Sequence, residues 1–352
     1  MRTLLVTIAL AALHTRAYAD GALEELSAGT VPQTASTPQS TWLADKLAGF
    51  WEPSEALQVR LDVTGTRTSE SKGDASDILL VNLGVEYDPD THWTLKLIAG
   101  GSPTSTSFTT SNVEVHTATS IIRGDTRVQS DASSISAGAW AGYDTDGDSN
   151  YETSALISLN GTHYDTLPQL ASVRSKSGQM VTPQQVRDSC ATNPCSPTLV
   201  AALAAQSTTL DQLVIDGALT EQLYKNTDVG LDGAYYLYDK DPTTSGYSTT
   251  VGLGRSTIGS GVIGIAPFQY AIAPSVIHRW GPLMALTSLS YGKYADELGY
   301  NVTPSLRLQY KFELDDDRRL KVWIKASGSR DVDQLGAVSK SGSLATGLQY
   351  TW

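Results

Sequence analysis

The chain has 352 residues and carries 25 Lys and Arg against 37 Asp and Glu, a net charge of −12. That balance, with a pI near 4.8, argues against nucleic acid as a partner. Apart from a short N-terminal run, no stretch is apolar enough for a membrane-crossing helix, which needs roughly 20 such residues.

The N-terminus reads as an export signal. Arg2 is followed by the apolar run Leu4 to Leu13, then by the small-x-small site Ala17-Tyr18-Ala19. This is the anatomy of a secretory signal peptide over residues 1–19, with Asp20 as the first mature residue. No Cys follows the run, so a lipid anchor is not expected. An exported chain without apolar helices is either soluble or a closed barrel, because only helices and barrels satisfy their backbone in lipid.

Residues 20–55 divide in two. Residues 20–40 are rich in Thr, Ser, Pro and Ala and read as a flexible leader. Trp42 to Trp51 has apolar residues at helical spacing, with Ser40 or Thr41 as the cap, and predicts a short amphipathic helix.

From residue 56 the period becomes two. Leu57, Val59, Leu61 and Val63 alternate with polar residues, as do Leu79 to Tyr87 and Trp93 to Ala99. The clearest cases are C-terminal: Leu306, Leu308, Tyr310 and Phe312 share one face, and Arg307, Gln309, Lys311 and Glu313 the other. The runs 56–67, 78–87, 93–99, 107–121, 127–141, 151–162, 209–222, 227–239, 247–256, 266–279, 283–293, 301–313, 318–329 and 341–352 are fourteen candidate strands. They predict an all-β, antiparallel up-and-down transmembrane barrel of about 12–16 strands over residues 56–352. Short turns such as Trp280-Gly281-Pro282 and Asp315 to Asp317 alternate with longer loops such as Lys293 to Tyr300 and Asp331 to Lys340. Tyr235, Tyr236, Tyr238, Trp280, Tyr291, Tyr310 and Tyr350 stand where aromatic girdles belong. Counting strands back from the C-terminus puts the long connection 163–208 on the short-turn side, a conflict of parity that a missed strand near Gln169 to Ser175 would only move elsewhere.

That insertion holds Cys190 and Cys195, a close pair expected to form a local disulfide in an oxidising compartment. No His lies nearby to complete a zinc set. A helix is expected over Ser196 to Ala205. The insertion is either a lumen plug or a loop folded over the rim.

The loop Asp144-Thr145-Asp146-Gly147-Asp148 spaces its carboxylates like a calcium loop, but Ser149 and Ala155 replace the required Gly and Glu. Asp144, Asp146 and Asp148 are therefore calcium candidates set against a plain solvated hairpin. His92, His116, His163 and His278 are scattered, and no nucleophile-elbow, zincin or phosphate-loop motif occurs. No enzymatic activity and no cofactor are expected.

The C-terminal Gly347-Leu348-Gln349-Tyr350-Thr351-Trp352 resembles the β-signal of Gram-negative outer-membrane β-barrel proteins. Gly347, Tyr350 and Trp352 match; Ala345 replaces the usual polar residue, and Trp stands where Phe is commoner. The resemblance implies an outer-membrane location, porin-like architecture, contact with lipid and lipopolysaccharide, and assembly by the insertion machinery that reads the last strand.

If Leu306 and Leu320 face lipid, then Arg307, Lys311, Glu313, Arg319, Lys321 and Lys325 face the lumen. Charges at mid-bilayer on the lipid face cost roughly 2–4 kcal/mol each, which forces this assignment once the strands span. The inward cations either bias a pore toward anions or brace the wall. The leading function is a porin-like channel for small hydrophilic solutes. The alternatives are a closed-lumen structural or attachment barrel and a soluble secreted β-sandwich.

Overall fold

A computed structural model of the protein describes residues 21–32, 39–70, 75–116, 121–145, 152–175, 180–192, 197–205, 207–240, 242, 268–314 and 318–352. The expected signal peptide lies outside the described residues. The strands are β1 (Gly21–Val31), β2 (Ser40–Ser54), β3 (Leu57–Glu70), β4 (Ala75–Tyr87), β5 (Trp93–His116), β6 (Ile121–Asp144) and β7 (Thr153–Ser175). They continue as β8 (Thr208–Tyr224), β9 (Thr227–Tyr238), β10 (Phe268–Trp280), β11 (Leu283–Tyr294), β12 (Gly299–Glu313), β13 (Arg319–Asp333) and β14 (Val338–Thr351). Each pairs antiparallel with its sequence neighbours, and β1 pairs with β14, so the sheet closes into a 14-strand barrel with no free edge. The seam is completed by reciprocal backbone bonds, Ala22 N–H to Trp352 O at 3.0 Å and Trp352 N–H to Ala22 O at 3.1 Å.

Alternation sets the two faces. Leu306, Leu308, Tyr310 and Phe312 on β12, with Val322 and Ile324 on β13, stand on the exposed outer face. Asn301, Thr303 and Trp323 on the opposite face of the same strands are buried. The outer face carries aromatics at both ends. Tyr87, Trp93, Tyr143, Trp280 and Tyr310 mark one end, and the ring contacts Tyr270–Tyr291 (6.2 Å) and Tyr291–Tyr300 (5.8 Å) mark the other. Tyr235 belongs to this outer set, but Tyr236 and Tyr238, read as girdle residues, face inward; Tyr238 OH donates to Phe268 O at 2.9 Å.

The fold class is as expected from sequence, but the strands are not drawn from the same residues. Residues 21–31 and 40–54, read as leader and helix, are the first two strands. The helical spacing of 42–51 arises because apolar residues occupy both faces of β2: Leu43 and Leu47 point outward while Trp42 and Phe50 point inward. The runs 93–99 and 107–121 belong chiefly to one strand, β5, whose chain passes through a bulge at Ser102–Ser105. There Ser134 Oγ accepts from Ser102 N–H (3.1 Å), and Ser105 Oγ donates to Ala132 O (3.2 Å). The stretch Gln169 to Ser175 is the end of β7.

The run 247–256 lies outside the described residues, and β9 pairs directly with β10, so the wall closes without it. This removes the parity conflict. Both barrel-forming chain ends and the connections 55–56, 88–92, 145–152, 225–226, 281–282 and 314–318 lie at one end. The long connections 176–207 and 239–267 lie at the other. The connections expected to be long at Lys293–Tyr300 and Asp331–Lys340 are short: a single 3-10 turn over Ala295–Glu297 and a turn at residues 334–337. The 88–92 turn is closed by Asp90 Oδ1, which accepts from the backbone N–H groups of His92 and Trp93, both at 2.8 Å. Those two donors hold the Asp90 carboxyl below the usual carboxylate range.

The 176–207 connection contains two helices, α1 (Pro183–Thr192) and α2 (Pro197–Ala204). α2 was legible in sequence; α1 was not. Thr182 and Gln185 form a reciprocal capping box: Thr182 N–H donates to Gln185 Oε1 at 2.9 Å, Gln185 N–H to Thr182 Oγ1 at 3.3 Å. Pro183 fills the first helical position, where a missing N–H costs nothing. Val186, Ala202 and Leu203 bury against Val128 of β6 and Val173 of β7. Val128 shares its strand face with Ser134 and Ser136, so the helices pack on the inward side of the wall at the end away from the termini. Arg187 ties them together through Nη2 to Leu203 O at 3.1 Å.

Candidate functional site

The inner face of the barrel is built from small polar residues and charged pairs. Ser134, Ser136, Ser158, Asn160, Thr64, Thr66 and Asn82 are buried there. Asn160 donates to Ser158 Oγ at 2.8 Å, and Ser158 Oγ donates to Asp216 at 2.7 Å. Most cations on this face have an acid within reach. Arg60 binds Asp62 at 2.7 Å, and Lys46 lies 3.4 Å from the same carboxylate. Lys96 meets Glu86 at 3.0 Å, and Arg279 meets Asp228 at 2.6 Å. Burying ions in a wall requires such partners, because an isolated ion in low dielectric is strongly penalised.

Large inner side chains lie flat on glycines. Trp42 covers Gly29, its register partner, and Trp323 covers Gly347 in the same way. Phe268 covers Gly292 and stacks on Tyr294 at 4.9 Å. A glycine lets a ring pack directly on the backbone of the neighbouring strand.

The residues singled out from sequence are only partly brought together. Arg307, Lys311, Glu313, Arg319, Lys321 and Lys325 all stand on the face opposite the exposed Leu306, Leu308, Val322 and Ile324, which in a closed barrel is the inner one. Lys311 and Glu313 pair at 2.9 Å near the strand end, which fits wall bracing. Arg319 lies opposite Glu313, and Lys321 opposite Lys311. Arg307 and Lys325 lie opposite each other in mid-strand, and neither has an ion-pair partner among the described residues. The Arg307 guanidinium rests over the Trp323 ring, 4.6 Å from its centre. Its Nη2 donates to Gln309 Oε1 at 2.9 Å, while Nε is buried with no acceptor. Nε1 of Trp323 is likewise buried with no acceptor.

Of the residues that resemble a β-signal, Trp352 bonds across the seam to Ala22, Tyr350 stacks on it at 5.2 Å, and Gly347 lies beneath Trp323. Cys190 is partly buried in α1 against the Val186 cluster; Cys195 lies outside the described residues. Asp144 ends β6 at the termini end of the barrel, and Asp146 and Asp148 lie outside the described residues. Trp323 was not singled out from sequence, although it sits among Arg319, Lys321 and Lys325 at a position where the pattern calls for a polar residue. Some charges depart from the segregation: Asp45 stands on the outer face beside Leu26, Glu24 stands on the same face opposite Leu47 and Tyr350, and Arg67 and Asp77 pair on the outer face near the far end of β3 and β4.

No protein-family model matches the chain, and no curated protein matches it in sequence. Solved structures match in shape. The CymD monoaromatic hydrocarbon channel aligns at a TM-score of 0.50 and 9% identity, covering 97% of this chain and 90% of that one. A Pseudomonas aeruginosa FadL homologue aligns at 0.48 and 10%, covering 94% and 90%. The Pseudomonas putida toluene transporter TodX aligns at 0.46 and 12%, covering 97% and 91%. The likeness is one of architecture: a closed antiparallel barrel of the kind found in outer-membrane channels.

Proposed function

We propose that the chain is exported by its N-terminal signal and forms an outer-membrane channel for small hydrophilic solutes, with lipid and lipopolysaccharide around it and the outer-membrane insertion machinery as its assembly partner. The observation that carries this reading is the segregation of the wall. Leu, Ile and aromatic side chains cover the exposed outer face, while ion pairs such as Arg279–Asp228 and Lys96–Glu86 are kept inside. In water the outer face would be a very large apolar patch; in hydrocarbon it is the matched surface. The end bearing the long connections is then the outer one, since outer-membrane barrels keep short turns on the periplasmic side. Cys190 and Cys195 form a local disulfide within the insertion in this reading.

A closed-lumen barrel is the second reading, favoured by α1 and α2 lying on the inward side of the wall. Two experiments separate the possibilities. Recovery in the detergent-extracted outer membrane, with heat-shifted gel mobility, is expected for a barrel; a processed chain folded in detergent-free periplasmic extract would overturn it. Stepwise conductance in planar bilayers is expected of a channel, and a correctly folded barrel without steps retires that reading.

A further inference from the structure

We infer that the mid-strand inner wall of β12 and β13 is a binding site for a small carboxylate, formed by Arg307 and Lys325 on the Trp323 platform. It rests on the channel reading for its access route. Cations directly opposite one another on paired strands repel, and such an arrangement is destabilising unless an anion joins it. Several cations elsewhere on this face have that anion built in, at 2.6–3.4 Å. Here it is missing. Among the described residues, the charged groups near Arg307 include Lys325 opposite it on β13 and Glu25 on β1, two strands further round the wall, which forms no ion pair with it. Lys46 of β2 lies opposite Glu25.

The chemistry of the orphaned donors specifies the ligand. Arg307 is held flat by the indole beneath it, and Gln309 engages only Nη2, leaving Nε without an acceptor. The Nε–Nη edge of a guanidinium matches the two oxygens of a carboxylate, and Lys325 supplies the second charge. Buried donors left unpaired are costly and ordinarily find partners. A passing carboxylate that displaces Gln309 completes the set. The underlying glycine matters as well: Gly347 is what lets Trp323 lie low enough to seat Arg307 above it.

The test uses the full barrel in detergent, with 4-fluorobenzoate followed by fluorine NMR and 4-fluorobenzamide as the uncharged counterpart. Saturable millimolar binding of the acid, and none of the amide, is the expected result. Arg307→Gln and Lys325→Gln are each expected to weaken it at least tenfold, with heat-shifted mobility confirming that each variant folds. Arg307→Lys, which keeps the charge without the fork, is expected to fall between. Equal binding of acid and amide to the unaltered protein overturns the site even if the variants fail to fold. So does unchanged binding in both glutamine variants, or displacement showing that inorganic phosphate binds more tightly than the acid. Specific binding in a barrel that shows no conductance steps upholds the site and retires the channel.

Discussion

Trp323 and Gly347 face each other in register on β13 and β14, and the indole occupies the space that a side chain at 347 would need. A Cβ built on Gly347 would lie 2.4 Å from Cε2 of the ring. Gly347→Ala is therefore expected to displace Trp323 and destabilise the barrel by about 1–3 kcal/mol, the usual cost of overpacking. Thermal unfolding followed by gel mobility measures it. Gly347 also belongs to the proposed β-signal, so the double variant Gly347→Ala with Trp323→Ala decides between the roles. Recovery of stability in the double variant marks packing; persistent failure to assemble marks the signal.

Trp352 acts at the seam. Its backbone exchanges two hydrogen bonds with Ala22, and its ring stacks on Tyr350. Trp352→Ser is expected to slow assembly severalfold in a reconstituted insertion assay while leaving assembled barrels heat-resistant. Insertion at the unaltered rate would remove Trp352 from the signal.

Asn301 is fully buried and donates to Ser329 Oγ at 2.6 Å and to Asp331 Oδ1 at 2.5 Å, while Tyr294 OH donates to the same carboxylate at 2.6 Å. Asn301→Leu strips Asp331 of one donor and leaves Ser329 short of a partner. A loss of about 1–3 kcal/mol is expected from the unsatisfied groups. Chemical denaturation of the refolded barrel gives the value, and an unchanged midpoint would show that the cluster is hydrated.

The helical insertion offers a test of gating. α1 and α2 pack against the inward side of β6 and β7 through Val186 and Leu203. Replacing residues 180–205 with a short Gly-Ser linker is expected to leave heat-shifted mobility intact and to raise single-channel conductance. Identical conductance would place the helices clear of the solute path.

The period-two pattern made β3, β4 and the strands from β8 onward legible wherever one face was uniformly apolar, as in Leu306 to Phe312. It failed where the inner face was itself apolar. Trp42 and Phe50 are inner residues, the first lying on Gly29 and the second under Arg60 at 4.8 Å, so β2 imitates a helix. It also failed at Gly100-Gly101-Ser102-Pro103, which carries turn chemistry but forms a bulge within a longer strand. The inward charges could be listed from alternation alone. Which of them stand unpaired could not, because the Arg307–Lys325 juxtaposition depends on the register of β12 against β13 and on the length of the turn between them.

β5 and β6 each run 24 residues and β7 runs 23, against 12 for β9 and β11. At about 3.3 Å per residue the long trio measures roughly 80 Å, far more than a tilted strand needs to cross an apolar band of about 25 Å. The rim is therefore lopsided, with a three-strand parapet rising on one flank. On an outer membrane that parapet would screen the mouth from bulky particles arriving on its side, and leave small diffusing molecules an approach over the shorter strands β12–β14 opposite.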